Sequence, residues 1–312
     1  MKGAERSPIL VTGSHRSGTT WTGRMLCLSG LAGYIDEPFN PNRLPSWCSP
    51  PMPYWFMYVN SENEDRFVDV VEGVVRFAYP FRDNLEYVRS PRAAALYARD
   101  CTAAVAHRVR GVRPLLKDPI ALFSSEWICE RFGAKVVVMI RHPAAFVSSI
   151  KRLNWRFHFR GWLEQPLLLR DWLGAFHADM SRFSGDDADV IDQAIVMWNA
   201  MHHVIARLRE RHPEWIFVRH EDLARDPGGG FSNLYERLDL GWDERTADKV
   251  LRYSRPTKPS EVPRWQHASV RRDSAGTVRT WRSRLSSAEI ARVRASTSEI
   301  ASQFYGEEDW EV

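Results

Sequence analysis

The stretch Ile9-Leu-Val-Thr-Gly13-Ser14-His15-Arg16-Ser17-Gly18-Thr19-Thr20-Trp21 decides the fold. A short apolar run enters a loop bounded by two glycines, and a helix-compatible run leaves it. That order aims backbone N–H groups and the positive end of a helix at one spot, which suits an anion. Gly13 and Gly18 have the spacing of the phosphate-binding pattern G-x-x-x-x-G-K-[ST], with Thr20 at the hydroxyl position. Thr19 stands where that pattern has lysine, and a cation comes earlier, at Arg16. The missing lysine would serve the β- and γ-phosphates of a nucleotide triphosphate, so its loss argues against an ordinary ATPase.

Working outward, short β-branched or apolar runs at 8–12, 135–140 and 215–218 read as buried strands, with weaker runs at 115–116 and 33–35. Helical patterns fall between them at 19–28, 144–153 and 190–210. Alternation of strand and helix predicts an α/β fold, a P-loop-type doubly wound parallel sheet flanked by helices. No linker is visible, so residues 1–312 are expected to form a single domain. The Pro- and aromatic-rich stretch 38–53 reads as a loop, Asp226-Pro-Gly-Gly-Gly230 as a turn, and 255–284 as a charged loop.

Composition narrows the classes. The 312 residues are 44% hydrophobic and 26% charged, values of a globular chain rather than a disordered one. Net charge is only +4, too weak by itself to argue for nucleic acid. The cations are 37 Arg and 6 Lys, and Arg suits bidentate contact with phosphate or sulfate. Four cysteines without CxxC spacing predict neither a zinc site nor a disulfide framework. No apolar run approaches a membrane span, and Ile9-Leu-Val11 is too short for a signal peptide, so a soluble, cytoplasmic protein is expected. Thirteen tryptophans include two aromatic clusters, Trp47/Tyr54/Trp55/Phe56/Tyr58 and Trp155/Phe157/Phe159/Trp162/Trp172. They read as loop packing over the core or as a wall for an apolar, sugar or lipid ligand.

A second anion motif is Arg141-His-Pro143-Ala-Ala-Phe-Val-Ser-Ser149. Here a strand ends in Arg, Pro143 opens a helix, and Ser149 follows about two helical turns later. Arg and Ser at this spacing suit one phosphate gripped from two sides. The strand before it ends in Arg141 rather than in an acidic residue that would hold Mg²⁺.

Together these segments resemble the PAPS-dependent sulfotransferases (PAPS is 3′-phosphoadenosine 5′-phosphosulfate). Arg16-Ser-Gly-Thr-Thr20 is similar to the 5′-phosphosulfate loop of the branch that carries RSGTT. The resemblance implies that Ser14, His15, Arg16, Ser17, Gly18, Thr19, Thr20 and Trp21 hold the phosphosulfate, and that Arg141 and Ser149 hold the 3′-phosphate. It implies a basic C-terminal lid over the cofactor, with Arg271 and Arg272 as contacts and Trp281 as an anchor. His220-Glu-Asp-Leu223 resembles the family's Y-E-D-L with His in place of Tyr, and the acidic pair reads as structural.

Sulfuryl transfer to a hydroxyl needs a base, and cations or N–H dipoles for the developing charge. Glu37 is the expected base, with Asp36 its rival, since related carbohydrate and tyrosine enzymes use a Glu in a comparable place. In Leu116-Lys117-Asp118-Pro119, Pro stands where the cytosolic aryl and steroid enzymes have their catalytic His. Lys117 and Arg16 are expected to act on the sulfuryl and bridging oxygens. Asp118 would be the metal ligand if the chain were a kinase. His15 is a candidate polar contact to acceptor or phosphate. The expectation is metal-free transfer from PAPS to a hydroxyl of a small molecule, sugar or lipid, without nucleic acid or a stable membrane anchor, by a possible homodimer. The alternatives are a P-loop kinase using ATP and Mg²⁺, and a non-catalytic nucleotide- or polyanion-binding protein.

Overall fold

β1 (Ile9–Gly13) lies at the centre of a five-stranded sheet in a computed structural model that describes residues 7–254 and 278–311. With β2 (Ala32–Asp36), β3 (Arg113–Lys117), β4 (Lys135–Ile140) and β5 (Ile216–Arg219), the order across the sheet is β2-β3-β1-β4-β5. Every neighbouring pair is parallel, and Leu10 lies opposite Leu116 on one side and Val136 on the other. The five apolar runs in the sequence are therefore the five strands.

Buried parallel strands are apolar on both faces, and alternate side chains serve opposite cores. Leu10, Leu116, Val136 and Val138 enter one apolar cluster, while Ile9, Val11, Leu115, Val137 and Met139 enter the other. Six helices frame the site: α1 (Thr19–Leu26), α2 (Pro143–Leu153), α3 (Val190–Arg211), α4 (His220–Arg225), α5 (Pro227–Arg237) and α6 (Ser287–Ala301). Met25 of α1 and Phe231 of α5 cover one face; Phe146 of α2 and Ile195 of α3 cover the other. The sheet is doubly wound, as the strand–helix alternation predicts.

Two local readings change. Asp226-Pro-Gly-Gly-Gly230 is the start of helix α5 rather than a free turn: Asp226 caps it by accepting the Gly229 N–H at 3.0 Å, and Pro227 occupies the first turn. Burial of Phe231, Leu234 and Tyr235 against the sheet overrides the poor helix propensity of glycine. In the stretch 255–284, residues 255–277 lie outside the described residues, so the expected lid and its Arg271 and Arg272 do too. Its last part is not loop but a short helix, Trp281–Arg284, because Trp281 is buried against the body of the fold.

Candidate active site

β1 and β4 are neighbours, yet the chain leaves them toward opposite faces, through α1 and α2. Such a divergence leaves a crevice at the carboxyl ends of the strands, where open α/β sheets bind ligands. Residues 14–18 and 141–143 line it.

The first loop is shaped by its glycines. A Cβ on Gly13 (φ +131°) would lie 2.2 Å from the Met139 carbonyl oxygen. One on Gly18 (φ +92°) would lie 2.4 Å from Nδ1 of His220. Only glycine fits either place. Between them Arg16 is left-handed at φ +67°, and the Ser14 carbonyl accepts both the Ser17 N–H at 3.2 Å and the Ser17 hydroxyl at 2.5 Å. Gly18 caps α1 without a side-chain hydrogen bond, so the first-turn N–H groups of Thr19, Thr20 and Trp21 have no side-chain cap. The buried Ser14 hydroxyl likewise has no protein partner.

The two anion motifs meet across the crevice. Nε of Arg16 donates to Oγ of Ser149 at 3.1 Å, although the two are far apart in sequence. Arg141, at the end of β4, is mostly buried, with Nε 3.3 Å from Oε1 of Glu221. Its carbonyl accepts the indole N–H of Trp198 at 2.9 Å. Glu221 belongs to the acidic pair read as structural; it is buried beside Arg141, whereas Asp222 stays at the surface with Arg225.

The ends of β2 and β3 carry the third group. Lys117 is almost fully buried, and its ammonium lies 2.8 Å from Oδ1 of Asp36 and 2.6 Å from Oε1 of Glu37. Burial works against that charge, but Asp36, Tyr34 and Glu37 outweigh it and raise the Lys117 pKa above the usual lysine range. Burial also opposes the Asp36 charge; Lys117 and then Arg43 overcome it and bring Asp36 down to about 2. Glu37 is left-handed at φ +45°, and its other carboxylate oxygen accepts from Nδ2 of Asn40 at 2.8 Å.

Asp118, the residue considered as a metal ligand, points inward. Its oxygens accept the N–H groups of Phe39 at 2.7 Å and Ile120 at 3.0 Å. Burial first, then the nearby Glu37 charge, push its pKa up to about 7. Among the described residues no three His, Cys, Asp or Glu side chains gather as metal ligands.

His15 faces away from solvent into aromatic rings. Its centroid is 4.8 Å from that of Trp155 and 5.7 Å from that of Trp55, and neither ring nitrogen has a protein hydrogen-bond partner. Burial and then Arg16 lower its pKa to about 3, so the ring is neutral. The two aromatic clusters in the sequence meet here through Trp55–Trp155 at 5.3 Å and Phe56–Trp162 at 5.4 Å, whereas Trp47 packs apart, on Phe77 and Tyr79. Trp21 turns to the other face and packs edge-on against His220 and Phe231.

Residues 8–244 match the model of the sulfotransferase family. The chain belongs to that family. It is 24% identical over 278 residues to the omega-hydroxy-beta-dihydromenaquinone-9 sulfotransferase of Mycobacterium bovis, covering 79% of this chain and 66% of that one. It is 26% identical over 202 residues to mouse (Mus musculus) carbohydrate sulfotransferase 1, covering 62% of this chain and 41% of that one. The chain thus spans just under two thirds of the first relative and about two fifths of the second. The solved sulfotransferase domain from the curacin biosynthetic pathway shares the fold, with a TM-score of 0.52 at 15% identity over 96% of this chain and 98% of that one.

The donor implied by the family, PAPS, is a polyanion, and the residues present fit one. Two glycine positions that no Cβ could occupy, an orphaned buried hydroxyl at Ser14 and a helix start without a side-chain cap sit beside Arg16. Among the described residues no helix is long and apolar enough to cross a membrane.

Two supporting residues carry no signal in the sequence: Arg43, whose guanidinium lies 3.7 Å from Asp36 and 2.6 Å from Asp100, and Tyr305, whose phenol donates to Glu221 at 2.9 Å.

Proposed function

We propose that the chain transfers the sulfuryl group of PAPS to the hydroxyl of a lipid, sugar or small-molecule acceptor, acting as one domain. The observation that carries this reading is the Arg16–Ser149 hydrogen bond at 3.1 Å, which joins two anion motifs across the β1/β4 crevice. ATP has no 3′-phosphate, and a second cationic motif beside the first loop is what a 3′-phosphorylated nucleotide requires.

In this reading the N–H groups of 17–21 and the Ser14 and Thr20 hydroxyls hold the 5′-phosphosulfate. Arg141 and Ser149 hold the 3′-phosphate. PAPS bound there supplies an electrophilic sulfuryl group on a good leaving phosphate. Glu37 removes the acceptor proton as the hydroxyl oxygen attacks. Asp36 is the weaker candidate base, because Lys117 and Arg43 hold it at about 2, a proton affinity too low for the task. Lys117 and Arg16 stabilise negative charge on the sulfuryl and bridging oxygens. The half-buried Trp55 and Trp155, next to His15, form the floor on which an uncharged acceptor lies. The names of the two relatives, a menaquinone and a carbohydrate sulfotransferase, support a lipid or sugar alcohol.

The test is calorimetric titration with adenosine 3′,5′-bisphosphate in EDTA, beside ADP and ATP, on wild type and Arg141→Ala. Tight metal-free binding that needs the 3′-phosphate and disappears in Arg141→Ala is the expected result. Binding of ATP alone, and only with Mg²⁺, would overturn the reading in favour of a kinase.

A further inference from the structure

Arg141 is held from behind by Glu221, and Glu221 in turn by a part of the chain that lies beyond the family match. Glu221 places Oε1 3.3 Å from the Arg141 Nε, and the same oxygen accepts the His142 N–H at 3.2 Å. Its other oxygen, Oε2, accepts the phenol of Tyr305 at 2.9 Å. Both oxygens are engaged, so the carboxylate has little freedom to turn. Tyr305 comes from the C-terminal segment after α6, whereas the family match ends at residue 244.

The chain on either side of α6 is anchored at several points. Arg219, at the end of β5, lies 4.5 Å above the Tyr305 ring and pairs with Asp309. His142 stacks on Trp281 with 14° between the rings and meets Trp310 edge-on at 4.4 Å. Burial and then the Glu221 charge raise the Tyr305 pKa well above its usual value, so the phenol keeps its proton and donates.

We propose that Glu221, clamped by Tyr305, is the positioning residue that aims the Arg141 guanidinium and thereby sets the preference for a 3′-phosphorylated nucleotide. A guanidinium is a rigid fork of five donors. The contact to Glu221 is an ion pair at Nε, which leaves the terminal nitrogens for the ligand, and less side-chain freedom is lost on binding. The inference rests on the assignment of Arg141 to the 3′-phosphate made above.

The experiment compares two nucleotides that differ only in that phosphate. Adenosine 3′,5′-bisphosphate and adenosine 5′-monophosphate are titrated calorimetrically into wild type, Arg141→Ala, Glu221→Gln and Tyr305→Phe. Glu221→Gln keeps the volume and an acceptor for the His142 N–H but removes the charge. The ratio of the two Kd values is expected to fall about tenfold in Glu221→Gln, equal to ~1.4 kcal/mol, and a few-fold in Tyr305→Phe. The monophosphate Kd should stay put in both. A merely structural role would lower the melting temperature and weaken both nucleotides together, which overturns the proposal. So does an unchanged ratio in the folded variants, or tighter bisphosphate binding in Glu221→Gln, which would make Glu221 a competitor of the phosphate. If Glu221→Gln does not fold, Tyr305→Phe decides alone. If wild type shows no preference between the nucleotides, the assignment of Arg141 itself has failed. If that preference is lost in Arg141→Ala but kept in both other variants, only the role of Glu221 has failed.

Discussion

The ammonium of Lys117 lies 2.6 Å from Oε1 of Glu37, nearly out of solvent, at the point where β3 and β2 end side by side. The Glu37 N–H also donates to the Lys117 carbonyl at 2.9 Å, so backbone and side chain fix the pair. A base and a cation at this distance are suited to act together: one takes a proton as the other meets new negative charge. Asp36, on the other side of the ammonium, keeps Lys117 charged when Glu37 becomes neutral.

Glu37→Gln should therefore abolish most turnover while sparing the donor. The expected loss of transfer is about 10²–10⁴-fold, the usual contribution of a general base. The bisphosphate Kd should stay within about twofold. Transfer of radiolabelled sulfuryl to a panel of isoprenoid alcohols, phenols and sugars measures the first, and calorimetry the second. Full transfer activity in Glu37→Gln would remove Glu37 from the mechanism.

Ser149→Ala removes the acceptor of the Arg16 Nε–H. It also removes the hydroxyl proposed to meet the 3′-phosphate, and bisphosphate affinity should drop about tenfold, roughly the worth of a hydrogen bond to a charged group. The melting temperature without ligand should change little. Unaltered affinity would remove Ser149 from the 3′-phosphate site.

Gly18→Ala forces a Cβ to 2.4 Å from His220 at a φ of +92°, so either the loop or the His220 ring must move. A stability loss of about 1–3 kcal/mol is expected from the left-handed backbone and the contact. Bisphosphate binding should weaken with it. Thermal denaturation and titration of the same sample read both effects.

Trp55→Ala should separate acceptor from donor. The side chain belongs to the wall beside His15 and to no anion contact. KM for the acceptor should rise at least tenfold, with the bisphosphate Kd unchanged. Equal loss of both would show that the wall only props up the phosphate loop.

Acid should unfold the protein steeply. Burial is the main cause that lowers the pKa of His15, His142 and His202 to about 3 each, below the usual 6.5. All three bind a proton on unfolding between those limits, so stability falls as pH falls below about 6.5. Asp118, raised to about 7, has the opposite sign and offsets one of the three protons down to its usual carboxylate range. The remaining two protons correspond to about 3 kcal/mol per pH unit at full effect. Denaturant midpoints at pH 7 and pH 5 test this, and a flat profile would contradict it.

Local sequence carried much of the result because local patterns are what buried parallel strands and anion loops impose. Five apolar runs became five strands, since a strand covered on both faces has little room for polar residues. Gly13 and Gly18 were legible for a similar reason: backbone packed that closely against Met139 and His220 admits no Cβ. The DPGGG stretch has the sequence of a turn because glycine propensity is local, while the packing of Phe231 and Tyr235 that makes it helical is not.

Relationships between distant segments arise only in the folded chain. Neither motif by itself shows that Arg16 reaches Ser149, that Asp118 turns away from the site, or that His15 enters the aromatic wall. Nor does HEDL reveal that Glu221 lies between Arg141 and Tyr305. The physical reason is the same throughout. Residue type and spacing fix which chemistry a segment offers. Which groups meet depends on strand order and on the face to which each helix returns, and those are settled by burial summed over the whole chain.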